Sequence, residues 1–105
     1  MLFSINSGLL EACVLAILSN EDSYGYKLTQ DVKDVMSISE STLYPVLKRL
    51  QTAGFLETYD MPIDGRNRKY YRITTAGKRQ QSLYCDEWKS YKELIEKIFK
   101  GAQHS

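Results

Sequence analysis

The 105-residue sequence predicts a mainly α-helical fold that carries one small β-hairpin and ends in a long helix. Three observations predict it. Residues 39–54 place Leu43, Val46, Leu47 and Leu50 at i, i+3, i+4, i+7, which gathers them on one helical face. Two stretches rich in strand formers, FLETYD and RKYYRIT, flank the turn-forming PIDGRN. Near the C-terminus Tyr84, Trp88, Tyr91, Ile95 and Ile98 recur at 4, 3, 4, 3, a heptad seam over about two repeats.

A chain of this length fits one domain and buries only about two-thirds of its unfolded surface, so a partner subunit would help to stabilise it. It divides into a domain over 1–75, a helix over 76–100 and a frayed tail over 101–105. The net charge of +1 conceals a polarity: residues 1–38 carry −3, residues 39–81 carry +4, and the remainder is neutral. Cys13 and Cys85 match no metal-ligand spacing and suit a reducing cytoplasm. The apolar run Leu9–Leu18 is about half a membrane span. With no basic n-region or cleavage site at the N-terminus, neither a signal peptide nor a membrane partner is expected.

The first helix spans about Asn6 to Ser19, and its apolar residues cover most of its circumference after Glu11, as in a helix buried on most sides. Asp22 or Ser23 is suited to cap the second helix, Tyr24 to about Val35, whose core stripe is Tyr24, Leu28, Val32 and Val35. Gly25 in its first turn suits a close backbone approach. Ser37 and Ser39 are both candidate caps for the third helix, and Ser39 leaves the more usual turn length. Pro45 removes one backbone hydrogen bond well inside that helix and should loosen its first turns. Gly54 ends it. Asp64-Gly65 is a strong tight-turn pair, and Thr74 or Thr75 caps the last helix, which runs to about Lys100.

Helix followed by a basic hairpin is the layout of a winged helix-turn-helix, three core helices plus a two-stranded wing. In that layout a helix enters the DNA major groove and the hairpin flanks it. On a helical wheel Ala53 joins the Leu43 face, while Ser41, Pro45, Lys48 and Thr52 lie opposite, with Tyr44 and Arg49 on the flanks. Ser41 and Thr42 suit phosphate or base contacts, and Lys48 suits a guanine edge or a phosphate. Tyr44 either reaches the DNA backbone or packs on the second helix, and Arg49 either meets DNA or pairs with an acid of its own domain. In the hairpin Arg66, Arg68, Lys69 and Arg72 supply four cations in seven residues with Asn67 among them, and Arg66 and Asn67 lie at the wing tip, suited to minor-groove shape or phosphate contacts. Such cations also serve simply as a solvated guard on a strand edge. Tyr70 and Tyr71 alternate, one into the core and one outward. Leu9 and Cys13 of the first helix and Tyr84, Trp88, Tyr91, Ile95 and Ile98 of the last offer a dimer interface, which Leu94 and Phe99 widen.

ESTLYPVLKRLQTAGFL, followed by GRNRKYYRIT and then TAG, resembles the short subfamily of PadR-like transcriptional regulators, and SYGYKL fits the same pattern. The resemblance covers nearly the whole chain. It implies a homodimeric winged-helix DNA-binding protein of bacterial type, usually a repressor, acting on double-stranded DNA at a pseudo-palindromic operator. It implies that the C-terminal helix and the first helix make the dimer, that Thr42, Leu43, Tyr44 and Pro45 belong to the recognition helix, and that Arg66, Arg68 and Lys69 belong to the wing. Asn67 departs from a position where the family often has proline, which implies a looser wing tip. The family commonly responds to small aromatic or planar molecules, and Tyr84, Trp88 and Tyr91 are the residues suited to an effector pocket, although large aromatics also fill interfaces without any ligand. A winged-helix module that binds protein without DNA is the competing reading. An enzyme is disfavoured: His104, the one histidine, lies in the tail, and no phosphate loop, metal cluster or nucleophile motif is present, so neither cofactor nor metal is expected.

Overall fold

A computed structural model describes residues 7–103; the expected helix start at Asn6 and the tail residues His104 and Ser105 lie outside them. The order is α1 (Ser7–Asn20), β1 (Ser23–Tyr24), α2 (Gly25–Lys33), α3 (Glu40–Thr52), β2 (Leu56–Ile63), β3 (Arg66–Ile73) and α4 (Thr75–Gln103). Four helices and the hairpin follow the expected mainly α fold. One element was not expected: Ser23 and Tyr24 pair antiparallel with Tyr71 and Tyr70, making a three-stranded sheet in the order β1-β3-β2. Two residues are too few to show a period-2 pattern, so their partner strand and not their own sequence defines them.

The core joins α1 (Leu10, Val14, Leu15, Leu18), α2 (Leu28), α3 (Leu43, Val46, Leu47, Leu50) and the sheet (Leu56, Tyr71, Ile73). Burial selects the expected α3 stripe except Ala53, which is exposed as the helix C-cap. The helix runs unbroken through Pro45. The proline is exposed, so the Ser41 carbonyl that loses its amide donor faces the solvent side.

The second helix departs from expectation at both ends. Tyr24, and neither Asp22 nor Ser23, is its N-cap, with no side-chain cap bond. The helix stops at Lys33 with Asp34 as C-cap, which leaves Val35 63% exposed and gives the core position to Met36. The Val35 and Met36 amides both donate to the Val32 carbonyl, a tight turn that carries Met36 inward. Ser39 is the α3 N-cap as preferred, but its hydroxyl bonds Ser41 Oγ (2.7 Å) and Thr42 Oγ1 (3.4 Å) in place of a backbone amide.

Gly54, at φ +84°, closes α3. The Phe55 amide donates to Leu50 O and the Gly54 amide to Gln51 O, the paired bonds of a Schellman turn. The hairpin is longer than expected, with β2 reaching Ile63 and β3 beginning at Arg66. Pro62 is tolerated because β2 is an edge strand. Asp64 (φ 51°) and Gly65 (φ 76°) alone make the turn, both left-handed as a type I′ turn requires. Asn67 sits in the ladder opposite Pro62.

Thr74 caps α4: its hydroxyl accepts from the Gly77 amide (3.0 Å) and donates to the Gly54 carbonyl (2.7 Å). Gly77 is where α4 meets the α3–β2 junction. A β-carbon there would collide with the Phe55 carbonyl oxygen and lie 2.7 Å from Ile73. Beyond this anchor α4 continues for 29 residues in all, three past the expected end at Lys100, and the described chain extends over 61 Å.

Replacing Gly77 by Ala is expected to cost about 1–3 kcal/mol, because backbone cannot yield as a side-chain tip can. Urea unfolding reads this as a lower midpoint; an unchanged midpoint contradicts the close docking.

Candidate nucleic-acid interface

Because α3 buries one face, the opposite face is free. Ser41, Thr42, Tyr44, Pro45, Lys48, Gln51 and Thr52 are all exposed. Tyr44 packs on the second helix, as one of its expected readings has it, and keeps an exposed edge. Its ring lies on Gly25 so closely that a β-carbon there would be 2.7 Å from the hydroxyl, yet the residue is 44% exposed. The close approach at Gly25 is thus by a side chain and not by backbone. The Tyr44 hydroxyl donates to Glu40 Oε2 (3.2 Å), and burial first, then Glu40, pushes the phenol above its ordinary pKa.

Arg49 is turned away from this face. Its Nε donates to Glu11 Oε1 at 3.0 Å, and the Tyr84 hydroxyl donates to Glu11 Oε2 at 3.3 Å. Of its two expected readings, the structure selects the partner within the domain. Glu11, the one charge in the apolar run of α1, thereby joins α1, α3 and α4. Sequence reasoning noted it only as an interruption.

Alternation gives the wing two faces. Asn67, Lys69, Tyr71 and Ile73 look toward the helices, and Arg66, Arg68, Tyr70 and Arg72 look outward. Tyr71 is therefore the core member of its pair and Tyr70 the outer one. The outer face is a ladder of rings and guanidiniums. Arg68 lies over Tyr24 (4.7 Å), Tyr24 meets Tyr70 (5.3 Å), Tyr70 stacks on Tyr59 (5.6 Å), and Arg72 covers Tyr59 (5.0 Å). Arg72 Nε also donates to Glu57 (2.8 Å), and the Tyr59 hydroxyl donates to Asp22 (2.6 Å), which holds that phenol above its ordinary pKa.

The cations differ in their partners. Arg49 and Arg72 are ion-paired, whereas Lys48, Arg66 and Lys69 have no acidic partner among the described residues. Lys48 and Lys69 share an open cleft of about 600 Å³ between α3 and β3, with Tyr44, Gln51, Thr52 and Tyr71. Gln51 and Tyr71 were absent from the sequence-derived set. Tyr71 was legible as a core candidate, and it is buried in the core while also lining this cleft.

Part of the second expected cluster comes together, without Ile95 and Ile98. An apolar cleft of about 410 Å³ between α1 and α4 is lined by Leu9, Cys13, Tyr84 and Trp88, together with Met36 and Cys85. An adjoining cleft of about 370 Å³ brings in Tyr91. Ile95 is half-buried, whereas Trp88 (46%), Tyr91 (60%) and Ile98 (69%) are exposed. No helix of the described residues is long and apolar enough to cross a membrane, and none of their carboxylate, histidine or cysteine groups cluster as metal ligands would.

The sequence profile of the transcriptional regulator PadR-like family matches residues 14–82. The crystal structure of smu.1704 from Streptococcus mutans is 44% identical, with a TM-score of 0.92 covering 96% of this chain and 95% of that one. The PadR-like transcriptional regulator BC4206 of Bacillus cereus is 32% identical, with a TM-score of 0.81 over 88% of this chain and 92% of its own. The transcriptional regulator Rv3488 of Mycobacterium tuberculosis is 30% identical over 93 residues, covering 88% of this chain and 84% of that protein.

Arg49→Ala is expected to lower stability by roughly 0.2–1 kcal/mol, since its ion pair is half-exposed. Lys48→Ala should stay within about 0.5 kcal/mol of the parent. Denaturant titration of both variants checks the assignment; equal losses contradict it.

Proposed function

This chain belongs to the PadR-like family of transcriptional regulators, which are not enzymes, and we propose that it acts in the cytoplasm as a homodimeric repressor at a pseudo-palindromic DNA operator. The observation that carries this reading is the cleft between α3 and the wing, which brings Lys48 and Lys69 together with no carboxylate in its walls. Lys48 on α3 and Lys69 and Arg66 on the wing form no ion pair among the described residues, while Arg49 and Arg72 are paired. Charges left unpaired on both the helix and the wing suit a polyanion.

In the proposed complex α3 lies in the major groove with Ser41 and Thr42 at its leading end. Arg66 and Asn67 reach the minor groove from the wing tip. Arg68, braced on Tyr24, contacts the flanking backbone from the outer face. Arg49 holds α3 against α1 and takes no direct part. Two copies pair through α4 and α1, using Leu9, Cys13, Tyr84, Trp88, Tyr91, Ile95 and Ile98. The exposed Leu94 and Phe99 support this, because apolar side chains on a projecting helix gain by burial against a second copy. The clefts around Trp88 take a small planar aromatic effector, whose binding at the dimer seam shifts the spacing of the two α3 helices and releases DNA.

Lys48→Ala and Arg66→Ala should each weaken binding to a duplex selected from a random pool and lower the salt slope by about one. Isothermal titration or anisotropy across a salt series checks this, and unchanged slopes refute the assigned surface. Trp88 is the only tryptophan. Acridine added without DNA should quench its fluorescence in a saturable manner, and Trp88→Ala should abolish acridine's ability to release the duplex. Release that persists in that variant excludes the pocket.

A further inference from the structure

The open cleft between α3 and the wing holds more than unpaired charge. Its walls are Tyr44, Lys48, Gln51, Thr52, Lys69 and Tyr71, and no carboxylate lines it. Asp60 lies opposite Lys69 across the β2–β3 ladder, but the two form no ion pair among the described residues. Glu40, the nearest acid on α3, accepts from the Tyr44 hydroxyl. Two lysines from separate elements therefore share one cavity whose walls supply no balancing charge.

Tyr71 is the wall that a purely structural role does not explain. Its side chain is nearly buried, 4% exposed, and Lys69 Nζ lies 5.5 Å from its ring centroid. The Tyr44, Tyr59 and Tyr84 hydroxyls each donate to a carboxylate, whereas the Tyr71 hydroxyl has no hydrogen-bond partner among the described residues. Nor is it sealed in the core: among the described side chains only Ser23 Oγ is both sealed and unpartnered. The Tyr71 hydroxyl is therefore reached by solvent, on a residue that lines the cleft. Burial raises its pKa, so at neutral pH it remains a donor.

Every cation and the phenol here is a donor, and a phosphate diester offers only acceptors. When a helix fills the major groove and a wing reaches the adjacent minor groove, the sugar–phosphate strand that separates the grooves passes between them. From these placements we infer that the cleft seats one phosphate of the operator backbone, with Lys48 and Lys69 supplying charge and the Tyr71 hydroxyl donating to a non-bridging oxygen. The seat fixes the wing against the helix once DNA is bound. It rests on the DNA-binding reading and adds Tyr71 as a contact residue.

The test pairs Tyr71→Phe, which removes one oxygen and keeps the ring, with a scan of single neutral methylphosphonates through the selected duplex. Tyr71→Phe should weaken binding to the unmodified duplex about tenfold, as for a hydrogen bond to a charged group, with its melting temperature kept. At one position per half-site the methylphosphonate should weaken the parent protein, and there the parent and Tyr71→Phe should bind alike. Lys69→Gln should lose its effect at that same position, which tests the seat independently of any change at Tyr71. Parental affinity in Tyr71→Phe, or an undiminished variant effect at every neutralised phosphate, overturns the inference. So does thermal protection by inorganic phosphate that requires Tyr71 while duplex affinity does not, since the seat would then serve a free anion. Failure of the parent to bind any selected duplex instead removes the DNA reading beneath it.

Discussion

One-sided burial of α3 is the constraint from which the rest of the molecule follows. Leu43 and Leu47 are fully buried and Val46 and Leu50 nearly so, packed with Val14, Leu15 and Leu18 of α1. Each such side chain contributes roughly 1.5–3 kcal/mol by leaving water, which fixes the rotation of the helix about its axis. With rotation fixed, Ser41, Thr42, Lys48 and Thr52 must face outward, and Arg49 must fall at the edge where Glu11 meets it. The Schellman turn at Gly54 then carries the chain directly into β2, so the wing leaves α3 at a set angle. The charged cleft follows from that angle: Lys48 and Lys69 are far apart in sequence and adjacent only because helix and hairpin are locked at their junction.

The same junction aims α4. Thr74 bonds Gly54 and Gly77, and the missing β-carbon of Gly77 lets the helix start against Phe55. Further along, Tyr84 reaches Glu11, the carboxylate that also holds Arg49. Displacement of α4 on α1 would therefore be felt at Glu11 and hence at α3. In the proposed repressor this supplies a physical link between an apolar ligand near Trp88 and the DNA-facing helix, with no separate relay needed.

Strong periodicity and turn chemistry made much of this legible in the sequence. The α3 stripe, the Asp64-Gly65 turn, the Gly54 stop and the threonine cap of α4 are local signals, and local geometry decides them. The places where the sequence misled are those decided by distant partners. Ser23 and Tyr24 form a strand only because β3 lies beside them, so Ser23 does not cap α2 and Tyr24 takes the cap position without a side-chain bond. Val35 has the spacing of a core residue, but the turn after Lys33 puts Met36 in its place. The residues proposed to face DNA stand out in the sequence as an exposed helix face and a basic hairpin. The roles of Glu11 and Tyr71 were not, because an acid in an apolar run and a tyrosine at a cavity rim acquire meaning only from what packs against them.

In the proposed complex two α3–wing surfaces, held in a fixed pair by α4, engage one DNA duplex. Hydroxyl-radical footprinting on a selected duplex tests this most directly. Two equivalent protected patches are expected on one face of the DNA, centred about ten base pairs apart or a multiple of that. A single patch, or uniform cleavage at saturating protein, would contradict it.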